Sequence, residues 1–241
     1  MLSARAAAPE SSADPQNIPN KRAILSRRKL AEELEALVDQ HGTGDKLRPA
    51  LIACLRKTLN DGRAEVRTRF EAKGSGEDCV RQNCYLADGL VRALADFTIT
   101  HIFPSANPTS GEVFDIAATG GYGRGELAPF SDIDLLFLLP YKRTPRVEQV
   151  VEYMLYILWD LGLKVGHAVR SVDDCIRQSK ADITIRTAIL EARYLWGPRK
   201  LYAELRKRFD KEVVAGSGPE FVEAKLADPD LLVEIQVIAA R

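Results

Sequence analysis

Leucine spacing organises the first hundred residues. Leu30, Leu34, Leu37 and Val38 fall within residues 21–40, and Leu47, Leu51, Leu55 and Leu59 within 46–71. Apolar positions that return every three to four residues form one stripe along a helix, so both stretches are expected to be amphipathic helices. The run Lys-Gly-Ser-Gly-Glu at 73–77 interrupts the pattern. A third helix is expected over 78–101, with Leu86, Leu90, Leu94 and Phe97 on one side; Pro104, Asn107, Pro108, Ser110 and Gly111 then form a loop.

The periodicity then shortens. Residues 113–119, 133–139 and 163–169 read as three strands. Between the last two, Pro145 stands where a helix can begin, and Val150, Val151, Met154, Leu155, Leu158 and Leu161 form a stripe that stops at Gly162. Helical spacing resumes over 183–195, through Ile185, Ala188, Ile189 and Ala192, and again over 198–209. Helices before and after a small mixed sheet give an α+β fold. The expected organisation is a disordered N-terminus at 1–20, an N-terminal helical region at 21–102, a core at 103–180, a helical segment at 181–226 and an atypical tail at 227–241. Residues 1–20 combine Ala, Ser, Pro and Asn without periodicity, hence the expectation of disorder.

Candidate chemistry sits between the first two strands. Gly120 and Gly121 are followed, after ten residues, by Asp132-Ile133-Asp134 at the head of the apolar run Leu135 to Leu139. Along a strand alternate side chains share a face, so the two carboxylates project together from Cα atoms about 6.6 Å apart. Such a pair suits Mg²⁺, a hard cation that takes one or two protein carboxylates and fills its other positions with phosphate oxygens and water. A turn without Cβ atoms lets backbone N–H groups approach phosphate. Together these are the parts of a metal-dependent nucleotidyl transfer site, where catalysis is positioning plus neutralisation of charge. The glycine spacing 121, 123, 125 does not fit G-x-G-x-x-G, and no G-x-x-x-x-G-K-[ST] occurs, which removes dinucleotide-fold and P-loop readings.

The stretch Gly120-Gly-Tyr-Gly-Arg-Gly-Glu-Leu-Ala-Pro-Phe-Ser-Asp-Ile-Asp-Leu-Leu-Phe-Leu139 resembles the nucleotidyltransferase domain of the bacterial PII uridylyltransferases, the bifunctional uridylyltransferase/uridylyl-removing enzymes, within the DNA polymerase β superfamily. The likeness runs from about residue 21 to 226 and includes Phe70 to Glu77, Gly162 to Arg170 and Thr187 to Arg193. It implies a polymerase β-like core that transfers UMP from UTP to a tyrosine of the PII signalling protein and releases diphosphate, with Mg²⁺ on Asp132 and Asp134. Gly120, Gly121, Gly123, Arg124 and Ser131 are the candidate phosphate-binding residues. Arg124 has two readings, a fork for phosphate oxygens or an ion pair with Glu126. Tyr122 replaces the small hydroxyl residue common after the first glycine, and Ser131 could cap the acidic turn. Superfamily members carry a third carboxylate on the strand at 163–169; here the sequence is Lys164-Val-Gly-His-Ala-Val-Arg170, without an acid. His167 is the candidate there, as catalytic base, as a substrate-orienting group, or as a core hydrogen-bonding residue. The phosphohydrolase (HD) and glutamine-sensing (ACT) domains of such enzymes are expected to be absent, and the tail from Asp228 departs from the family pattern. Two alternatives stay open: transfer of another nucleotide or to another acceptor, and a non-catalytic fragment that binds PII or nucleotide.

Bulk composition narrows the setting. Lys plus Arg equals Asp plus Glu at 34 each, so whole-chain charge does not steer the protein toward nucleic acid or anionic membrane. No apolar run approaches the eighteen or so residues that span a bilayer, and no signal-peptide core is present. Cys54, Cys79, Cys84 and Cys175 form no C-x-x-C pair, so reduced thiols and a cytoplasmic location are expected. Arg186, Arg193, Arg199, Lys200 and Arg206 are expected on a solvated face.

Overall fold

The computed structural model describes residues 18–215 apart from 45, 73, 108, 142 and 143. The expectations for residues 1–17 and 216–241, including the tail, fall outside this range. Four helices come first: α1 (Lys21–Ile24), α2 (Arg27–His41), α3 (Leu47–Glu71) and α4 (Gly76–Phe97), the last prolonged by a π-helical turn at Thr98–Ile102. Side chains cap the starts of two of them: Ser26 accepts from the Lys29 N–H of α2 and Ser75 from the Asp78 N–H of α4. Leu30, Leu34, Leu47, Leu51, Leu55 and Leu59 are all buried, as their spacing requires.

The site is carried by a four-stranded mixed sheet of order β3-β2-β1-β4. Strand β1 (Asp115–Ala118) lies antiparallel to β2 (Ile133–Leu139) and to β4 (Arg193–Trp196). β2 runs parallel to β3 (Val165–Ser171), and α6 (Pro145–Asp160) makes the crossover between them. One face packs Ile116, Ala118, Ile133, Leu135 and Phe137 against the N-terminal helices and α6. The other packs Ala117, Leu136 and Leu138 against α7 (Val172–Ala181), α8 (Ile183–Leu190) and α9 (Lys200–Phe209). The α+β architecture expected from the sequence is therefore present.

The expected helix over 183–195 needs correction. α8 stops at Leu190, and residues 193–196 instead form the edge strand β4. Ala192 fits a helical period, while four strand residues are too few to display alternation. The end of α8 is fixed by Arg206, whose guanidinium donates to the carbonyls of Ile189 and Leu190 at 3.2 and 3.0 Å. Helix α7, unassigned from sequence, opens where Ser171 accepts from the Asp174 N–H at 3.1 Å.

Two buried acids hold the sheet to its surroundings. Asp115 on β1 accepts from the N–H groups of Arg199 and Tyr202 at 2.8 and 2.9 Å, tying down the start of α9. Asp88 on α4 takes a two-pronged pair from Arg193 on β4, at 2.7 and 3.0 Å. Removing one partner of a buried pair strands the other charge, which costs about 3–5 kcal/mol. Arg193→Ala is accordingly expected to lower the unfolding free energy by that order, measured by urea unfolding.

Candidate active site

β1 delivers the chain into the short helix α5 (Gly120–Gly123), whose first residue has φ +59°, a left-handed conformation that favours glycine. Asp134, on β2, lies across from this turn, and the Thr119 N–H donates to the Asp134 carbonyl at 3.0 Å. A Cβ on Gly120 would sit 3.2 Å from Asp134 Oδ2. On the opposite side the register pairs Asp134 with Gly166 of β3, where a Cβ would collide with Asp134 Oδ1. The Asp134 carboxylate thus occupies space that neighbouring strands normally give to side chains. Ile133, between the two acids, points into the core, and Asp132 is exposed at the strand entrance.

Burial pushes the Asp134 carboxyl above the usual range, and the Asp132 charge adds to the effect. Among the described residues neither acid has a hydrogen-bond or ion-pair partner. Two such carboxylates, half-open to a cleft, fit the needs of a divalent cation completed by substrate oxygens. Among the described residues no three His, Cys, Asp or Glu side chains converge as a closed metal site.

Two openings meet at this point. One is a cleft of about 420 Å³ that runs from Gly120, Gly121 and Asp134 past Gly166 to Thr184 and Thr187 of α8, within the roughly 300–1,000 Å³ usual for ligand sites. The other is an open groove bounded by Glu77, Phe130, Ser131, Asp132 and Lys164. Gly121, Arg124 and Asp134 border both. Ser131 donates its N–H to the Ala128 carbonyl at 3.1 Å and closes the acidic turn. Beside it Phe130 holds φ +67° with 76% of its surface exposed, a backbone state that costs about 1–3 kcal/mol.

Arg124 satisfies one of its two expected roles and adds a partner. Its Nε lies 3.5 Å from Glu126 Oε2, and its Nη1 donates to Glu191 Oε1 at 2.8 Å. Tyr122 is buried, its ring faced by the Arg193 guanidinium at 5.5 Å, and its carbonyl accepts from Arg193 at 3.1 Å. Gly123 packs beneath the Glu191 carbonyl, where no Cβ would fit. Sequence reasoning missed both Glu191 and Arg193, the latter expected on a solvated face; only the fold brings them to the turn.

His167 is not gathered with the acids. It pairs in register with Leu135, the residue after Asp134, and successive side chains leave a strand on opposite faces. Its exposed ring meets Trp159 of α6 edge-on at 6.2 Å. Gly166, His167, Ala168 and Arg170 of β3 border the cleft, while strand alternation sends the imidazole to the face opposite Asp134.

Residues 102–191 match the nucleotidyltransferase domain family. A nucleotidyltransferase domain is therefore present over this stretch, which contains the glycine turn and the acidic pair. It is 84% identical over 234 residues to the bifunctional uridylyltransferase/uridylyl-removing enzyme of Azospirillum brasilense, covering 95% of this chain and 25% of that protein. Proteins of the same description from Rhodospirillum rubrum and Erythrobacter litoralis are 56% and 49% identical over 214 and 218 residues, or 88% and 90% of this chain and 23% of each relative. The chain thus spans about a quarter of the length of these relatives.

Two outcomes are expected from the geometry. Gly166→Ala should leave the melting temperature nearly unchanged, because a carboxylate end can swing aside, yet weaken metal-dependent nucleotide binding at least tenfold; misplacement by about 1 Å can cost about 10²-fold. Asp134→Asn should raise the melting temperature of the metal-free protein at neutral pH, since it removes a partly buried charge that faces another of the same sign.

Proposed function

We propose that this chain transfers UMP from UTP to a tyrosine hydroxyl of the PII signalling protein, with Mg²⁺ held by Asp132 and Asp134. The observation that carries this reading is a pair of carboxylates, without partners among the described residues, set beside a glycine turn that also bears Arg124. The uridylyl group follows the activity for which the relatives are named, and the PII acceptor follows from the motif resemblance alone. The tyrosine oxygen attacks the α-phosphorus, a phosphorus–oxygen bond forms, and diphosphate departs with the electron pair of the broken bond. Mg²⁺, when bound, neutralises phosphate charge and eases loss of the hydroxyl proton. Gly120, Gly121 and Gly123 admit the phosphates close to backbone, Arg124 sets positive charge beside the turn, and Ser131 holds the turn that presents Asp132.

In this reading His167 is not the base. Loss of a general base costs about 10²–10⁴-fold in rate, whereas His167→Ala is expected to change transfer by well under tenfold, measured as initial rate at saturating UTP. A larger fall would return the imidazole to the reaction. We place the reaction in the cytoplasm: Cys54, Cys79, Cys84 and Cys175 are free thiols, and no helix among the described residues is long and apolar enough to cross a membrane. The balanced charge gives no support to a nucleic-acid substrate.

The test is label transfer from UTP carrying a labelled α-phosphate to purified PII in the presence of Mg²⁺, beside an Asp132→Ala/Asp134→Ala variant. Transfer by the wild type that disappears in the variant is the expected outcome. Folded wild-type protein that binds nucleotide but labels no PII would overturn the assignment of acceptor. Preferential competition by ATP would overturn that of the nucleotide.

A further inference from the structure

The segment Glu191-Ala192-Arg193 grips the glycine turn at three consecutive residues. Arg193 donates to the Tyr122 carbonyl at 3.1 Å, the Glu191 carbonyl closes over Gly123, and Glu191 Oε1 accepts from Arg124 Nη1 at 2.8 Å. The grip is itself anchored, for Arg193 is locked on Asp88 and Arg206 binds the last carbonyls of α8.

We propose that Glu191 is a positioning residue: it holds the Arg124 guanidinium over the glycine turn, set for the phosphates of a nucleoside triphosphate. The inference rests on the reading above that this turn receives a triphosphate. Three observations support it. The Arg124 Nη2 lies 3.5 Å from where a Cβ of Gly121 would be, so the guanidinium curls back across the turn instead of extending into solvent. The Glu191 side chain is only 15% exposed while that of Arg124 is 39% exposed, so the fixed partner is the acid and the accessible one is the cation. Glu191 also caps the C-terminal end of α8, where the helix dipole disfavours a carboxylate. Helix stability therefore does not explain an acid there; its engagement with Arg124 does. Arg124 has a long flexible stem, and ordering it before the ligand arrives lowers the entropy lost on binding.

The experiment is a double-mutant cycle on the full chain with Mg²⁺, reading the dissociation constant of UTP by equilibrium dialysis and the melting temperature of each variant. Glu191→Gln is expected to raise the UTP dissociation constant between about 3- and 100-fold, the span of coupling between contacting residues. In an Arg124→Ala background the same substitution should add nothing. An unchanged or lowered constant for Glu191→Gln, or an equal penalty in both backgrounds, would overturn the proposal. If Glu191→Gln melts below the assay temperature, the cycle is run with Glu191→Asp, which keeps the charge and shortens its reach; the same loss and the same coupling are then expected. ATP and inorganic tripolyphosphate are titrated in parallel. Wild-type protein that binds either but not UTP would defeat the uridylyl reading while the cycle proceeds on the ligand that binds. Wild-type protein that binds none of the three would defeat the triphosphate reading of the turn and this inference with it.

Discussion

Arg193 reaches from the sheet edge into the seam between α4 and the glycine turn, and three parts of the chain take their relative positions from it. Its fork fits both oxygens of Asp88, its Nη2 also donates to the Tyr122 carbonyl, and its plane faces the Tyr122 ring. A glycine-rich turn has little intrinsic stiffness, since each glycine leaves the backbone free to explore conformations other residues cannot. A turn that must present backbone N–H groups in one arrangement therefore needs rigidity from outside itself. Here it comes from a buried ion pair whose members lie 105 residues apart.

The same logic divides the acids of this fold into two kinds. Asp88 and Asp115 are buried, and each is satisfied by several donors, so they serve the framework. Asp132 and Asp134 have no partner among the described residues, though Asp134 is half-buried. Uncompensated charge of one sign in a partly dry cleft is unfavourable for the folded chain alone. In the proposed function it becomes favourable when a cation and its phosphates arrive, in keeping with the general concentration of strain and unmatched charge where binding supplies the missing term. Phe130, exposed and in a left-handed backbone state beside Ser131, belongs to the same pattern.

What could be read from sequence follows from distance along the chain. The glycine turn and Asp132-Ile-Asp134 lie within fifteen residues, and their spacing carries the chemistry directly. The leucine stripes give the N-terminal helices because each is a local periodicity. β4 was illegible: its four residues are too short to alternate, and its partner β1 lies some seventy-five residues away. Arg193 was expected on a solvated face and Glu191 had no assigned role, because their partners, Asp88 and Arg124, are brought near only by the fold. Helix α7 did have a usable signal, Ser171 three residues before Asp174, the spacing of a helix-capping pair. The position of His167 turned on register: a shift of one residue along β3 would have put its ring, not the bare backbone of Gly166, beside Asp134.

That register also bears on the missing third carboxylate. Gly166 is not an empty ligand position, because the Asp134 carboxylate already fills the volume a side chain there would need. The next residue of β3 on the same face is Ala168, which packs with the second core cluster and is too short to ligate. An acid at 166 would displace the one ligand that both clefts share, and an acid at 168 would place charge against Leu136 and Ile189. In the proposed reading Asp132 and Asp134 are therefore the carboxylates at the cleft, and a hard cation held by two keeps most of its coordination positions for substrate oxygens and water. On that proposal the architecture leaves to the incoming phosphates and acceptor the completion of a site that the protein only begins.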